Sequence, residues 1–126
     1  MPKENLTDAQ KKLSTDLLQL IGIINLTKGI TRDTFEQQMK QNHQLKWVDD
    51  NGATITGISG HKLVYVYITP RENANQSLIK SNVWNITNTD PSFNLIVAWV
   101  DVDNLLNLAS IDSVKSIRTV TPPITT

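Results

Sequence analysis

The sequence predicts an α+β fold in which residues 61–126 form a small β-α-β-β-α-β module. Two observations predict this module. Runs of β-branched and aromatic residues alternate with two short segments of helical spacing, in the order strand, helix, strand, strand, helix, strand. Glycine and proline punctuate the ends of these segments. Residues 1–60 carry a separate pattern of two helices and a hairpin, which predicts an N-terminal extension that packs on the module.

The extension begins with an amphipathic helix. Thr7 and Gln10 delimit the T-D-A-Q sequence of a capping box, in which each side chain binds a backbone N–H of the first turn. Apolar residues then recur at helical spacing over about five turns. They are Leu13, Leu17, Leu20, Ile21 and Ile24. This stripe predicts a helix that packs on the domain core, and the alternative is a helix that binds a partner protein.

A second helix is predicted from Thr31 to Asn42, because Phe35 and Met39 lie on one apolar face. The residues of its polar side are expected to face solvent. They are Glu36, Gln37, Lys40 and Gln41.

A β-hairpin is predicted after this helix. Leu45–Asp49 and Thr54–Ile58 flank an Asn-Gly pair, which tolerates the positive φ angles of a type I′ turn. The glycines of Gly57–Gly60 then indicate a boundary between the extension and the module.

The first half of the module predicts a strand, a helix and an edge strand. Over Leu63–Ile68, alternation places Val64, Val66 and Ile68 on one face and Leu63, Tyr65 and Tyr67 on the other. Pro70 ends this strand. Glu72–Ser81 has helical spacing of Ala74, Leu78 and Ile79, and Val83–Thr89 is polar, as expected of an edge strand.

The second half of the module repeats the order strand, helix, strand. Phe93–Val102 is a long apolar strand with Phe93, Leu95, Val97 and Trp99 on one side. Asp103 is placed to cap a short helix. The residues of this helix that are expected to face the sheet are Leu105, Leu106, Leu108, Ala109 and Ile111. Val114–Val120 is the last strand, with Val114, Ser116 and Arg118 alternating against Lys115, Ile117 and Thr119, and prolines follow it.

Two β-α-β units that share one antiparallel sheet give the split, ferredoxin-like arrangement, with both helices on one face. Aromatic residues are predicted on the open face, namely Tyr65, Tyr67, Trp84 and Trp99. Such a face suits a protein partner or the N-terminal helix, and we expect that helix to cover part of it. Stacking of nucleobases is the other use of such a face, but few cations accompany the aromatic residues here.

The stretch Ser92–Val120 resembles the second half of the propeptide domain of subtilisin-like serine proteases. That family shows an aromatic-led strand, a Leu-rich helix, an Asp-X-Val turn, a last strand and an extended tail. Here Phe93 leads the strand and Ile111–Val114 makes the turn. The resemblance covers about half the chain. The acidic residues that the family carries near the last strand and tail are replaced here by Arg118 and Thr121.

The resemblance implies an intramolecular chaperone or inhibitor, whose sheet packs on protease helices and whose tail enters the substrate cleft. The partner would then be an attached or separate subtilisin-like protease. The candidate contact residues on the sheet and tail are Tyr65, Tyr67, Trp99, Arg118, Val120, Thr121, Pro122 and Pro123. The alternative function is a structural domain of a cell-surface protein that has no protease partner.

Composition argues against several other functions. Twelve basic and twelve acidic residues cancel, so no field attracts nucleic acid. Cysteine is absent, and no apolar run reaches the roughly 18 residues of a membrane span. His43 and His61 lack a neighbour at metal-ligand spacing. Ser59 does not lie in a nucleophile elbow, so we predict no enzyme, no cofactor and no metal.

Four Asn-X-Ser/Thr sequons occur, whereas chance alone would give about two. They begin at Asn5, Asn25, Asn75 and Asn85. Their excess favours an extracellular or cell-surface protein. The first residues lack the basic and apolar regions of a signal peptide, so we expect the chain to be a piece of a longer exported protein.

Overall fold

A five-stranded antiparallel sheet lies at the centre of the protein. The computed structural model describes residues 5–55 and 60–120. The strands are β1 (Leu45–Val48), β2 (His61–Pro70), β3 (Asn85–Asp90), β4 (Leu95–Asp101) and β5 (Val114–Thr119). The α-helices in the described part are α1 (Asp8–Lys11), α2 (Thr15–Leu20), α3 (Arg32–Gln41), α4 (Ser77–Ser81) and α5 (Leu105–Ala109). The prediction of an α+β fold with an antiparallel sheet is confirmed.

The long strand β2 organises the sheet. On one side it pairs with β4, and β3 lies beyond β4. On its other side two short strands lie end to end, because β1 pairs with His61–Val64 and β5 pairs with Val66–Pro70. They meet at Tyr65, whose N–H donates to the carbonyl of Gln44 and whose carbonyl accepts from the N–H of Val120. The strand order is therefore β5-β2-β4-β3, with β1 as an addition in line with β5.

One face of this sheet builds the hydrophobic core. The strand residues at its centre are fully or almost fully buried, namely Val64, Val66, Ile68, Ile96, Ala98 and Val100. The α5 residues Leu105, Leu108 and Ala109 pack against them. The same cluster contains Leu6, Leu13, Leu17, Leu18 and Leu20 from the start of the chain. The extension and the module therefore share a single core cluster.

The single N-terminal helix of five turns was a wrong prediction. The capping box at Thr7 is present, but α1 ends at Lys11 and α2 begins only at Thr15. Between them Leu13 forms a parallel bridge with Ile117 of β5. The N–H of Ser14 donates to the carbonyl of Ile117, and the N–H of Ile117 donates to the carbonyl of Lys12. The outer edge of β5 thus binds the backbone of Lys12 and Ser14. In a continuous helix these backbone groups would form hydrogen bonds within the helix.

The helix predicted after Thr31 is present as α3, and Thr31 caps it by accepting from the N–H of Thr34. Met39 is buried, as its apolar stripe predicts. The expectation of solvent exposure for Glu36 was wrong, since this side chain is buried and forms an ion pair with Lys62 of β2. Burial of a carboxylate is tolerated here because a cation from a neighbouring element compensates its charge.

The turn after β1 is present, but it is not type I′. The N–H of Gly52 donates to the carbonyl of Asp49, and within the turn only Gly52 has a positive φ, at 86°. The Asp49 carboxylate accepts from two further backbone N–H groups. Thr54 bridges to Val48 and the N–H of Ile55 donates to the carbonyl of Trp47, whereas residues 56–58 of the predicted second strand lie outside the described residues. The predicted boundary at Gly57–Gly60 also lies outside them, except for Gly60.

Leu78 and Phe93 of the module lie on the surface. The predicted helix over Glu72–Ser81 is reduced to α4, and Leu78 is 62% exposed. Phe93 does not lead a strand, because the Asp90 carboxylate accepts from the N–H groups of Ser92 and Phe93 and caps a 3₁₀ turn. Phe93 is consequently 77% exposed.

The last two elements differ from expectation in detail. Asp101, not Asp103, caps the turn before α5, because its carboxylate accepts from the N–H of Asp103. Leu106 is exposed instead of facing the sheet. A bulge opposite Pro70 shifts the register of β5, so that Val114 and Ile117 are both buried although strict alternation placed them on opposite faces.

No helix in the described ranges has the length and apolar character needed to cross a membrane.

Candidate functional site

The sheet has a second face, opposite the core, that carries aromatic and cationic side chains. Alternation along β2 directs Tyr65 and Tyr67 away from the buried valines. Tyr65 pairs with Trp99 of β4, and Tyr67 pairs with Arg118 of β5. Lys46 of β1 pairs with Leu63 and lies on the same side. We call the surface formed by Lys46, Tyr65, Tyr67, Trp99 and Arg118 the aromatic face.

The centre of the aromatic face is held in a fixed geometry. The rings of Tyr65 and Trp99 stack with centroids 4.6 Å apart and planes at 27°. The Tyr65 hydroxyl lies 2.7 Å from the hydroxyl oxygen of Thr87, which in turn donates to the carbonyl of Val97. Aromatic pairs of this geometry contribute about 0.5–1.5 kcal/mol beyond their buried area. The two rings are therefore preorganised for contact with another surface.

Two cations lie over rings of the aromatic face. The Lys46 ammonium is 4.2 Å from the centroid of Trp99, and the Arg118 guanidinium carbon is 4.8 Å from that of Tyr67. Neither side chain forms an ion pair with any residue that the structure describes. Cation–π contacts at exposed sites contribute about 0.5–1 kcal/mol each. The cations are thus held over the rings weakly enough to change partners.

The N-terminal helices do not cover this face, contrary to expectation. Leu13, Leu17 and Leu18 belong to the core cluster on the opposite side of the sheet. Two side-chain bonds fix them there, because Lys12 donates to the carbonyl of Ile111 and the Thr119 hydroxyl donates to Asp16. The physical reason is that their leucines pack with the buried apolar residues of α5 and β5, Leu105, Leu108 and Ile117, in one cluster. Tyr65, Tyr67 and Trp99 are left half-buried, and Arg118 is exposed.

Trp84 was predicted on the same aromatic stripe, and its ring lies against His61, which alternation along β2 places on the side of Tyr65, with centroids 4.9 Å apart. His61 is the first residue of β2. It contacts two carboxylates, although no potential partner lies near it in the sequence. Its Nε2 lies 2.7 Å from a carboxylate oxygen of Asp50, and its Nδ1 lies 3.2 Å from one of Asp101. The register of β2 on β1 and β4 brings these three residues together, which sequence spacing alone does not indicate.

The two carboxylates favour the protonated form of His61. The hydrogen bond from Asp50 raises the pKa of this imidazole above its ordinary value of 6.5, with Asp101 adding to the effect and desolvation opposing it. The described residues contain no group of three or more His, Cys, Asp or Glu side chains that could hold a metal ion. His61 and its two carboxylate partners form a hydrogen-bonded clasp between the β1 turn and the end of β4.

We expect Asp50→Asn to lower the pKa of His61, because it removes the larger of the two favourable interactions. The folded pKa is raised, so the stabilisation that the clasp supplies is fully present below pH 6.5 and is lost as pH rises through the folded value. NMR titration of the imidazole resonances measures this directly. His43, which lies outside the clasp, serves as the control, and an unchanged His61 titration in the variant would contradict the assignment.

The predicted contact residues of the tail begin where β5 ends. The carbonyl of Val120 accepts from the Gln44 side chain at 2.9 Å, so the chain leaves the sheet next to Tyr65. Thr121, Pro122 and Pro123 lie outside the described residues. Of the predicted site residues, the structure thus brings Tyr65, Tyr67, Trp99, Arg118 and Val120 into one region.

No known family model, no curated protein and no solved structure matches this chain.

Proposed function

We propose that this protein is a non-catalytic protein-interaction module that uses its aromatic face as the contact surface. The observation that carries the proposal is the half-buried pair of stacked rings, Tyr65 and Trp99, on the face of the sheet opposite the core, where no described helix covers them. Aromatic residues on rigid elements are the usual anchors of protein interfaces. The groups on the face are engaged in stacking, hydroxyl and cation–π contacts, which suit binding better than chemistry.

The fold within the α+β class that we propose for the module is the ferredoxin-like one. The strand order β5-β2-β4-β3, antiparallel throughout, supports it. So does the placement of α4 between β2 and β3 and of α5 between β4 and β5 along the chain. In this proposal β1 and the first three helices are an extension added to that module.

The partner class that we propose is a subtilisin-like protease, attached or separate, because the second half of the chain resembles the propeptides of those enzymes. Two features support a propeptide-like role. No element in the described ranges 5–55 and 60–120 covers the aromatic face, which the resemblance implies makes a flat contact, and Val120, the last described residue, is bonded to Gln44 beside Tyr65. An extracellular location is proposed with it, and the four sequon asparagines support this because all are exposed.

Titration of the 126-residue chain against a subtilisin tests the proposal. We expect loss of protease activity at concentrations up to tens of micromolar, roughly the weak end of specific protein association. Tyr67→Ala and deletion of residues 121–126 should each weaken the effect, the first because it removes a ring of the contact face. Phe93→Ala is the matched control, since Phe93 is an exposed aromatic residue outside the face.

Full protease activity at those concentrations, unchanged by either alteration, would reject the inhibitor role. The result would then favour the alternative function, a structural domain of a cell-surface protein without a protease partner. Binding without inhibition, measured by calorimetry with the same variants, would keep the interaction module and reject only the inhibition.

A further inference from the structure

The charge on the aromatic face indicates the chemistry of its partner, and this inference rests on the proposed function. Lys46 and Arg118 both lie over rings and have no ion-pair partner among the described residues. The carboxylates on this side of the sheet have other partners, since Asp50 and Asp101 are bonded to His61 and Asp90 accepts from the N–H groups of Ser92 and Phe93. A partner that covers this face therefore meets two uncompensated positive charges.

These charges follow a line along one side of β2. Lys46 pairs with Leu63 and Arg118 pairs with Tyr67, so the two positions are four residues apart along the strand. At about 3.3 Å per residue this separation is roughly 13 Å. Eight residues of an α-helix span roughly 12 Å. A helix that lies along β2 and carries two carboxylates about two turns apart would match both cations.

The surface beside this line suits the apolar side of the same helix. Tyr65 and Trp99 lie between the two cations and present half-buried rings. Toward β3 the neighbouring side chains are neutral, Asn85 and Thr87, and both cations come from the strands on the other side of β2. This is the pattern of an apolar contact with a charged margin.

We propose that the aromatic face binds an acidic amphipathic helix of its protein partner. The carboxylates of that helix form ion pairs with Lys46 and Arg118, which replace the cation–π contacts of these side chains with Trp99 and Tyr67. A single-stranded nucleic acid is less well matched. Its bases need free ring faces, whereas the Trp99 ring is stacked on Tyr65 and covered by Lys46. The chain also has equal numbers of acidic and basic residues.

Calorimetry with two helical peptides of about 20 residues tests this proposal with the full chain. One peptide carries two glutamates eight positions apart beside an apolar stripe, and the other carries lysines at the same two positions. We expect the acidic peptide to bind at least about tenfold more tightly, with an affinity that falls as salt rises. Equal affinity for the two peptides, or binding of neither, would overturn the proposal.

A charge-matched pair of variants locates the effect. Lys46→Gln with Arg118→Gln should weaken binding of the acidic peptide by about tenfold. Lys28→Gln with Lys80→Gln removes two exposed lysines elsewhere and should leave binding unchanged. Loss of affinity in both double variants, or in neither, contradicts recognition by Lys46 and Arg118. A single-stranded oligonucleotide that binds at least as tightly as the acidic peptide also overturns the proposal.

Tyr67→Ala separates failure of this inference from failure of the proposed function. If protease binding needs Tyr67 but neither cation, the face is a protein contact and only its preference for an acidic helix is wrong. If protease binding survives Tyr67→Ala as well, the aromatic face itself is not the contact surface.

Discussion

Leu17→Ala is expected to destabilise the whole protein by about 3 kcal/mol. Leu17 lies in α2, is fully buried and belongs to the cluster formed by β2, β4 and α5. Truncation removes buried methyl groups and leaves a cavity at the contact between the extension and the module. Chemical denaturation, followed by the fluorescence of the three tryptophans, measures the change and shows whether unfolding stays a single transition.

Leu78→Ala is the matched control for this experiment. Leu78 also lies in a short helix, but it is 62% exposed, so its truncation should change stability by no more than about 0.5 kcal/mol. If Leu17→Ala were as mild as Leu78→Ala, the first helices would not be part of the core. A second, earlier unfolding transition in Leu17→Ala would mean that the extension unfolds independently of the sheet.

Gly60→Ala is expected to have a comparably large effect, about 3 kcal/mol. Gly60 immediately precedes β2 and has a φ of 89°, which disfavours any residue with a Cβ. A Cβ built there would lie 2.4 Å from the carbonyl oxygen of Val48 and 3.0 Å from the Ile55 Cδ1. The backbone cannot relieve the first contact without separating β1 from β2. Thermal unfolding of the variant measures the loss.

Gly29→Ala separates the two causes of that loss. Gly29 has nearly the same φ, 90°, but nothing lies within 4 Å of a Cβ built on it. Its substitution therefore reports the left-handed backbone penalty alone, about 1 kcal/mol. Equal destabilisation by the two substitutions would mean that the close approach to Val48 is not a constraint on the fold.

The sequence correctly predicted the elements that are stabilised by residues close together in the chain. The capping box at Thr7 and the helix after Thr31 depend on residues three or four positions apart, and both are present. Alternation in β2 correctly placed Val64, Val66 and Ile68 on one face, and the structure shows that this face is buried in the core. That same alternation placed Tyr65 and Tyr67 together on the opposite face, so the centre of the candidate site was predictable.

The wrong predictions concern residues whose contacts are with residues far away in the sequence. Leu13 looked like one position in a helical stripe, yet a bridge to Ile117 holds its backbone extended. Glu36 looked solvent-facing because nothing nearby in sequence indicates Lys62, which arrives with β2. His61 is joined to Asp101 across 40 positions of sequence. Such pairs follow from strand register, which neither composition nor periodicity specifies.

The position at which the chain leaves β5 has a consequence for any covalently attached partner. Because β1 and β5 share one edge of β2, Val120 is fastened beside Tyr65 in the middle of the sheet, by Gln44 and by the Tyr65 carbonyl. A domain joined after this point would be tethered a few residues from the rings that we propose as its contact. Short tethers give a high effective concentration, so a weak contact would be nearly saturated within one chain. Cleavage of the tether would then release the partner without any change in the contact surface itself.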